Sequence, residues 1–411
     1  MKLNDHPVGV SRHAVPLSGR LFMRMLERVS VGRLHLVQPD GLVRTFGERA
    51  EKLLPVEHEA QLEIYDWRAI GLILRQGDVG FAESLRRGWV GCDDLVSLFT
   101  IAILNQQVSQ AVDGQWWALL LKRLSHWVFK DNSRSGSRRN ILSHYDVGND
   151  FYRIWLDPSM TYSSAYFAGD ATLDLEQAQN QKYDLILDQL GAMPGQSVLE
   201  IGCGWAGFAE RAARRGLKVV GITISDAQLK YGRARMTEAG LNHLVELRLQ
   251  DYRDVPEQFD HIVSIEMFEA VGLLHWPNYF KVVARCLRPG GKAVIQAIDI
   301  AEDRFDAYRH GTDFIQQYIF PGGMLPSATR FARETHSAGL KVDAKVSFGL
   351  DYAETLRLWG VAFDRNLSAI AAQGFDDAFI RIWKMYLAYC EVGFRYARTD
   401  VKQWVLSHAL A

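Results

Sequence analysis

Short apolar runs alternate with helical stretches from about residue 196 onward. The runs are SVLEI, LKVVGITI, LVELRLQD, FDHIVSI and KAVIQAIDI. Short buried strands separated by helices are typical of βαβ units, so the pattern predicts an α/β fold with a doubly wound, Rossmann-like parallel sheet. Further along, residues 352–398 read as mostly helical and are rich in Trp, Tyr and Phe.

The chain before about residue 125 follows a different pattern. Strand-like runs such as GRLHLVQPDG and AQLEIYD stand among amphipathic helical segments, without βαβ alternation. The polar, basic stretch KDNSRSGSRRN (130–140) is the best candidate boundary. We therefore predict a smaller α+β N-terminal domain over residues 1–128, a linker over 129–140 and a second domain over 141–411.

The segment QWWALLLKRLSHWVFK (115–130) interleaves aromatic side chains with Lys122, Arg123 and Lys130. A helix of this kind can sit at headgroup depth in a bilayer, although a core helix with a solvated basic face explains the same letters. The chain has no run of about 18 apolar residues and no apolar stretch typical of a signal peptide near its start. We expect a cytoplasmic protein whose N-terminal domain associates peripherally with the inner face of the membrane.

Charge and cysteine content argue against several classes of protein. The chain carries 47 Lys+Arg against 48 Asp+Glu, so no overall field favours nucleic acid. Its four cysteines lie far apart and form no CxxC pair, which argues against a zinc site and against a disulfide framework. We predict no metal and a reducing compartment.

The stretch VLEIGCGWAGFAE (198–210) reads as strand, glycine turn and helix. Gly202 and Gly204 let the backbone approach a ligand closely, and the helix start offers N–H groups. The spacing G-C-G-W-A-G differs from the G-x-G-x-x-G of NAD-binding proteins. A glycine turn without any ligand is the plain structural alternative.

Polar residues around this turn favour a different cofactor. The second strand ends in GITIS, without the acidic residue that usually holds an NAD ribose. Thr223, Ser225 and Gln228 cluster there instead, and Glu200 stands just before the first glycine. An acidic residue followed by G-x-G is the pattern of S-adenosylmethionine-dependent methyltransferases.

Several further stretches share one order along the chain. They are HYDVGNDFYRIWLDPSMTYSSAYF (144–167), LEIGCGWAGFAERAA (199–213), VVGITISDAQ (219–228), LQDYRD (249–254), SIEMFEAVG (264–272), YIFPGGMLPS (318–327), DYAETL (351–356) and YCEVGFR (389–395). With these stretches the sequence resembles the cyclopropane-fatty-acyl-phospholipid synthases, a family that includes the mycolic-acid cyclopropane synthases. GDVGFAESLRRGWVGCDDL (77–95) also resembles the N-terminal domain of longer bacterial members.

The resemblance implies a class I methyltransferase fold with a helical cap over an acyl pocket. It implies that a methyl group passes from S-adenosylmethionine to the double bond of an unsaturated acyl chain in a membrane phospholipid, giving a carbocation that then loses a proton. The cofactor contacts it implies fall on these residues: Tyr162, Ser163, Glu200, Gly202, Gly204, Thr223, Ser225, Gln228, Gln250, Tyr252 and Arg253. Longer members often dimerise, so a homodimer is compatible with the resemblance.

Family members remove the proton with a bound bicarbonate ion. The residues that hold it match Glu269, Tyr352 and Ile298 here, while the family Cys is replaced by Ser164 and the family His by Gln296. Gln296 stands in the apolar strand AVIQAIDI (293–300), where an unpartnered amide would cost about 1–3 kcal/mol. We predict that its side chain points into the proton-removing site.

The His-to-Gln replacement leaves two products open. An amide can donate a hydrogen bond to an anion, but it cannot carry a proton near neutral pH. If Gln296 still holds bicarbonate, the product is a cyclopropane; if proton loss is redirected to a chain carbon, the product is a methyl-branched, unsaturated chain. We favour the branched product.

The remaining predictions concern single residues and other functions. Cys390 matches a cysteine traditionally marked as the family's active residue, but without an adjacent His it reads as a residue lining the acyl pocket. Tyr352, Tyr318 and Phe268 are candidates for shielding the cation. The alternative functions are a methyltransferase for a soluble small molecule and a lipid-binding protein without catalysis.

Overall fold

The structure is a computed structural model that describes residues 15–47, 58–106 and 147–409. By contacts between backbone positions the chain divides into two compact units. The described part of the first unit comprises 15–47, 58–106 and 375–392, and that of the second comprises 147–374 and 393–409. The predicted linker at 129–140 and the basic, aromatic segment at 115–130 lie outside the described residues, so both stay predictions.

The first unit contains a small mixed sheet with helices, as expected for an α+β domain. Its elements are α1 (Leu17–Leu26), β1 (Arg33–Val37), β2 (Val43–Phe46), β3 (Glu59–Ile64), α2 (Arg68–Gln76), α3 (Asp78–Arg86), β4 (Val90–Cys92) and α4 (Leu95–Leu104). The strand order is β2-β1-β3-β4, with β1 and β3 parallel. Alternate side chains such as Leu36 and Leu62, which are paired in register, form the buried face.

The second unit begins with the predicted alternation of strands and helices. Its first elements are α5 (Asn149–Trp155), α6 (Leu175–Leu190), β5 (Ser197–Ile201), α7 (Gly207–Arg214), β6 (Lys218–Thr223), α8 (Asp226–Glu238), β7 (Val245–Leu249), β8 (Phe259–Ile265), α9 (Trp276–Cys286) and β9 (Leu287–Ile300). Each of the five predicted apolar runs is a strand, which confirms the α/β prediction.

The elements after β9 complete the sheet and its helical cover. They are α10 (Glu302–Tyr308), α11 (Phe314–Tyr318), α12 (Ala328–Ser337), β10 (Leu340–Ser347), α13 (Gly349–Arg365), α14 (Leu367–Ala372), α15 (Asp377–Arg395) and β11 (Thr399–His408). Residues 375–392, which include most of α15, group with the first unit. The helical interpretation of 352–398 therefore matches α13 to α15.

Seven strands form one sheet in the order β10-β11-β9-β8-β5-β6-β7. Strands β5 to β9 are parallel, whereas β11 pairs antiparallel with both β9 and β10. The hydrophobic pattern missed β10 and β11. Strand β11 lies inside the sheet and buries six consecutive residues, 401–406, so it lacks the polar–apolar alternation of a strand with one solvated face.

Successive residues of the central strands enter two different core layers. Ile295 packs with α9 and α12 on one face, and Val294 packs with α6 and α7 on the other. Gln296 and Ile298 follow Val294 at intervals of two residues, so they share its face. Strand alternation thus directs the polar side chain of Gln296 towards the layer that contains α6.

No helix in the described ranges combines the length and the apolar character needed to cross a bilayer.

A buried ion pair joins β9 to β11. Lys402 Nζ donates to both carboxylate oxygens of Asp299, at 2.7 and 2.5 Å, and contacts Asp400 Oδ2 at 2.9 Å. Asp299 and Lys402 are both buried, and burial raises the pKa of the Asp299 carboxyl to about 6 even beside the lysine. This pair helps to align the antiparallel strand with the parallel part of the sheet.

We expect Lys402→Met to lower the free energy of unfolding by about 3–5 kcal/mol, because it leaves the Asp299 charge buried without its cation. Urea denaturation measures the change, and exposed Lys218→Met serves as the matched control, with an expected change within about 0.5 kcal/mol. The loss should shrink near about pH 5, where Asp299 is largely neutral. Equal losses in the two variants would contradict this role for the pair.

Candidate active site

The glycine turn after β5 lies where the strand order reverses, because β6 and β8 flank β5 on opposite sides. Ligands of doubly wound sheets bind outside the carboxyl ends of strands at such a point. Gly202 has φ +83°, and a Cβ there would meet Met267 Cγ at 2.8 Å; Gly204 has φ +51° and open space on its Cβ side. Both positions therefore favour glycine, Gly202 also because a side chain would meet Met267, and at Gly204 the backbone is open to close approach.

Glu200, two residues before Gly202, is buried and supplies an unsatisfied acceptor. Its side chain is 3% exposed, and Oε2 finds no hydrogen-bond partner in the described structure. Burial raises the pKa of this carboxyl well above its usual range, against the opposing charges of Lys182 and Arg235. A buried carboxyl beside a glycine turn suits a ligand that brings a cationic or N–H donor.

Thr223, Ser225 and Gln228 come together where β6 leads into α8. Ser225 caps the helix, with Oγ accepting from the backbone N–H of Gln228 at 3.4 Å. Thr223 Oγ1 donates to Gln228 Oε1 at 2.9 Å and accepts from Ser225 N at 3.2 Å. The three buried side chains thus brace one another next to the glycine turn, whose Gly202 N–H donates to Ile222 O.

Gln250, Tyr252 and Arg253 follow β7. The backbone N–H of Gln250 donates to Thr223 O, which ties this loop to the end of β6. Arg253 donates to both oxygens of Asp251, at 2.8 and 2.6 Å, so its charge is paired within the loop. Tyr252 packs edge-on against a neighbouring core tyrosine with ring centroids 5.5 Å apart.

Tyr162 stands in an aromatic cluster built from α5, α13 and the loop before α12. Its ring centroid lies 5.3 Å from Tyr152, 5.6 Å from Trp155 and 5.4 Å from Trp359. Phe320 stacks on it at 6.4 Å. Aromatic faces of this kind attract cations such as a sulfonium and exclude water.

Ser163 lies over two polar residues of α6 that the sequence analysis did not identify. Lys182 Nζ donates to Ser163 Oγ at 2.7 Å, and Gln179 Nε2 donates to Ser163 O at 2.8 Å. Lys182 is fully buried, and burial lowers the pKa of its ammonium group to about 7, with the Glu266 charge acting in the opposite direction. Nothing in the sequence around Lys182 distinguishes it from a lysine on the solvated face of a helix.

Gln296 has partners on both sides of its amide. Nε2 donates to Glu266 Oε1 at 2.8 Å, and Oε1 accepts from Gln403 Nε2 at 3.0 Å. Gln403 stands directly opposite Gln296 on β11. The amide is fully buried, and its role in the structure is to hold the carboxylate of Glu266.

Glu266 is a functional candidate that the sequence analysis missed. Besides Gln296, it accepts from the backbone N–H of Ser164 at 2.9 Å and from the hydroxyl of Tyr352 at 2.7 Å. Burial raises the pKa of Glu266, and these hydrogen bonds act in the opposite direction. A signal existed in the sequence: a charged residue directly follows the buried strand FDHIVSI, at a carboxyl end where ligands bind.

Glu269 lies near this carboxylate but has a different partner. Its Oε1 accepts from the backbone N–H of Ile298 at 2.5 Å, while Oε2 has no hydrogen-bond partner among the residues described. Burial and the negative charge of Glu266 raise the pKa of Glu269 to about 8. Glu269 is therefore largely protonated at neutral pH.

Three of the five residues matched to the family's bicarbonate site thus converge on Glu266, while the other two, Ile298 and Glu269, bond to each other. The N–H of Ser164, the amide of Gln296 and the hydroxyl of Tyr352 all donate to its carboxylate. A bicarbonate ion would need the same donors and would lie against a carboxylate that already holds them. The residues present do not fit a separately bound bicarbonate.

Two other predicted positions lie elsewhere in the fold. Phe268 is fully buried in the core, where it stacks on Trp276 at 5.4 Å, so it acts as a packing residue. Cys390 is half-buried on α15, in the part that groups with the first unit, and its place in an acyl pocket stays a prediction. In the described residues, no group of three His, Cys, Asp or Glu side chains is arranged to hold a metal ion.

Comparison with known proteins places this arrangement in a family. The mycolic acid cyclopropane synthetase family description matches residues 132–404. The chain is 41% identical over 349 residues to the tuberculostearic acid methyltransferase UfaA1 of Mycobacterium tuberculosis, covering 81% of this chain and 79% of that protein. It is 37% identical over 347 residues to the cyclopropane-fatty-acyl-phospholipid synthase of Escherichia coli K12, covering 81% and 83%.

A solved structure agrees with the sequence matches. The mycolic acid cyclopropane synthase CmaA1 complexed with SAH and CTAB aligns with a TM-score of 0.61 and 31% identity, covering 66% of this chain and 97% of that one. The strand order, the glycine turn and these matches lead to one conclusion. The chain belongs to the mycolic acid cyclopropane synthetase family and is an S-adenosylmethionine-dependent methyltransferase.

Proposed function

We propose that this enzyme methylates the double bond of unsaturated acyl chains in membrane phospholipids and that its product is a methyl-branched, still unsaturated chain. The observation that supports this most is the set of hydrogen bonds around Glu266, which directs the donors of the proton-removing site to a carboxylate of the chain itself. We further propose that the enzyme works in the cytoplasm at the inner face of the membrane.

The cofactor contributes an electrophilic methyl group on a sulfonium centre. Glu200, Gly202 and Gly204 would hold its amino-acid end, since the turn offers close backbone approach and a buried acceptor. Tyr162 and the rings around it would face the sulfonium. None of these roles needs a metal ion.

The protein has three tasks in the reaction. It brings the acyl double bond and the methyl group together, it excludes water, and it accepts one proton. The π electrons form the new carbon–carbon bond while the methyl–sulfur bond breaks, which leaves a positive charge on the neighbouring chain carbon. Loss of a proton from a chain carbon restores a double bond, whereas loss from the new methyl group closes a cyclopropane.

The name of the relative with the higher sequence identity supports the branched product over the cyclopropane. The relative at 41% identity is named a methyltransferase, and the relative at 37% identity is named a cyclopropane synthase. The Gln at position 296 points in the same direction, because it holds a carboxylate and cannot take up a proton itself. The cyclopropane remains the alternative product of the same site.

The product test uses purified enzyme, S-adenosylmethionine and vesicles of dioleoyl phosphatidylglycerol. We expect each modified acyl chain to gain the mass of one CH2 and then to take up hydrogen under mild catalytic hydrogenation, because a branched alkene keeps its double bond. Vesicles of a fully saturated phospholipid are the control and should gain nothing. A product that resists hydrogenation would contradict the branched chain, and methylation of a water-soluble acceptor alone would contradict the lipid substrate.

The cofactor site is tested by a matched pair of glycines. Gly202→Ala and Gly290→Ala both place a side chain at φ near +80°, but only the first meets Met267 beside the glycine turn. We expect both variants to lose stability, by about 1–3 kcal/mol each, and only Gly202→Ala to weaken binding of S-adenosylhomocysteine, by about tenfold or more. Isothermal titration calorimetry measures the affinity, and equal affinities would contradict the placement of the cofactor.

A further inference from the structure

The carboxylate of Glu266 is held by three donors that lie on three different segments. Its Oε1 accepts from Ser164 N and Gln296 Nε2, at 2.9 and 2.8 Å, which occupies both lone pairs of that oxygen. Its Oε2 accepts from Tyr352 Oη at 2.7 Å and keeps one lone pair for a further hydrogen. Glu266 is only partly buried, whereas Ser164, Gln296 and Tyr352 are all buried.

We propose that Glu266 is the catalytic base of this enzyme and that its Oε2 takes the place of the bicarbonate oxygen that the family resemblance assigns to proton removal. This inference rests on the proposed function and deepens it. It names a side chain of the protein as the acceptor of the proton.

The backbone conformation of Glu266 supports a functional role for this residue. Its φ is +50°, in the left-handed region that glycine adopts freely and that costs other residues about 1–2 kcal/mol. Strain of this kind persists where the surrounding structure holds the residue in place, and it concentrates at functional sites. The left-handed turn follows β8 directly and lies three residues before Glu269, so it brings the two carboxyl groups near each other.

The charges of the site identify which carboxyl group is ionised. Three hydrogen bonds stabilise the charged form of Glu266, whereas Glu269 accepts one at Oε1. Burial and the charge of Glu266 raise the pKa of Glu269 to about 8, so Glu269 keeps its proton at neutral pH. The negative charge of the site is therefore assigned to Glu266, the carboxylate that three hydrogen-bond donors stabilise.

The proton transfer balances without an external base. The C–H bond next to the cationic carbon breaks, its electron pair forms the new double bond, and the proton moves to Glu266 Oε2. Glu266 then carries a neutral carboxyl group, which returns the proton to solvent before the next turnover. Gln296 still donates to Oε1, now a carbonyl oxygen, and Tyr352 still donates to Oε2, now a hydroxyl oxygen. Both hydrogen bonds are weaker than those to the carboxylate, which favours return of the proton to solvent.

The activity test compares Glu266→Gln with Glu238→Gln, an exposed glutamate at the end of α8. Turnover of the wild type on dioleoyl phosphatidylglycerol vesicles should not change when carbon dioxide and bicarbonate are stripped from the buffer. Glu266→Gln should lower turnover by about 100-fold or more while its affinity for S-adenosylhomocysteine stays the same. Glu238→Gln should behave like the wild type.

A binding test gives a second readout that does not depend on turnover. Glu266→Gly suits the left-handed backbone and leaves the donors of Ser164, Gln296 and Tyr352 facing the emptied space. We expect 13C-bicarbonate to bind to this variant and not to the wild type, as seen by 13C NMR, and added bicarbonate to restore part of the variant's turnover.

The inference is overturned if the wild type binds 13C-bicarbonate, if its turnover falls when bicarbonate is removed, or if Glu266→Gln keeps its turnover. Failure of the proposed function gives a different result: the wild type binds S-adenosylhomocysteine but modifies no acyl chain. In that case the comparison of 13C-bicarbonate binding between the wild type and Glu266→Gly still decides whether Glu266 occupies the anion site.

Discussion

A carboxylate that leaves bulk water must be given hydrogen-bond donors, and this requirement organises the centre of the enzyme. Glu266 receives them from Ser164, Gln296 and Tyr352. Each donor is contributed by a different segment, so the loop before α6, strand β9 and helix α13 must all be in place for the site to exist. A buried polar network of this kind is stable only when every member is satisfied, and the second partner of Gln296, Gln403, completes it.

Strand β9 links this network to the stability of the sheet. One of its faces presents Gln296 and Ile298 to the two glutamates, and the other presents Asp299 to Lys402 of β11. Both sets of contacts require the antiparallel pairing of β11 with β9, since Gln403 and Lys402 come from that strand. The last strand of the chain therefore contributes to the active site although it carries no residue that we expect to touch the substrate.

The parallel part of the fold and the glycine turn could be predicted because their signals are local. Five apolar runs separated by helices and one G-x-G turn are each contained in a few consecutive letters. Strands β10 and β11 could not be predicted in this way: β11 is buried on both faces and shows no alternation, and β10 is an edge strand whose residues are mostly exposed or half-buried. The contacts of Glu266 and Lys182 were missed because they are not local: Glu266 bonds to groups 30, 86 and 102 residues away, and Lys182 bonds to Ser163, 19 residues away.

Glu266 explains chemically why a glutamine, and not a histidine, stands in the strand AVIQAIDI. A histidine beside a catalytic carboxylate could share or take its proton, because an imidazole titrates near neutral pH. A glutamine donates the same hydrogen bond without competing for the proton, and its oxygen can be fixed by a second amide, as Gln403 does here. A base that is a side chain of the protein, held by three donors, also has one fixed position, whereas a bound ion can shift among its donors. The position of Glu266 Oε2 thus becomes the factor that determines which hydrogen is lost, and with it the choice between a branched alkene and a cyclopropane ring.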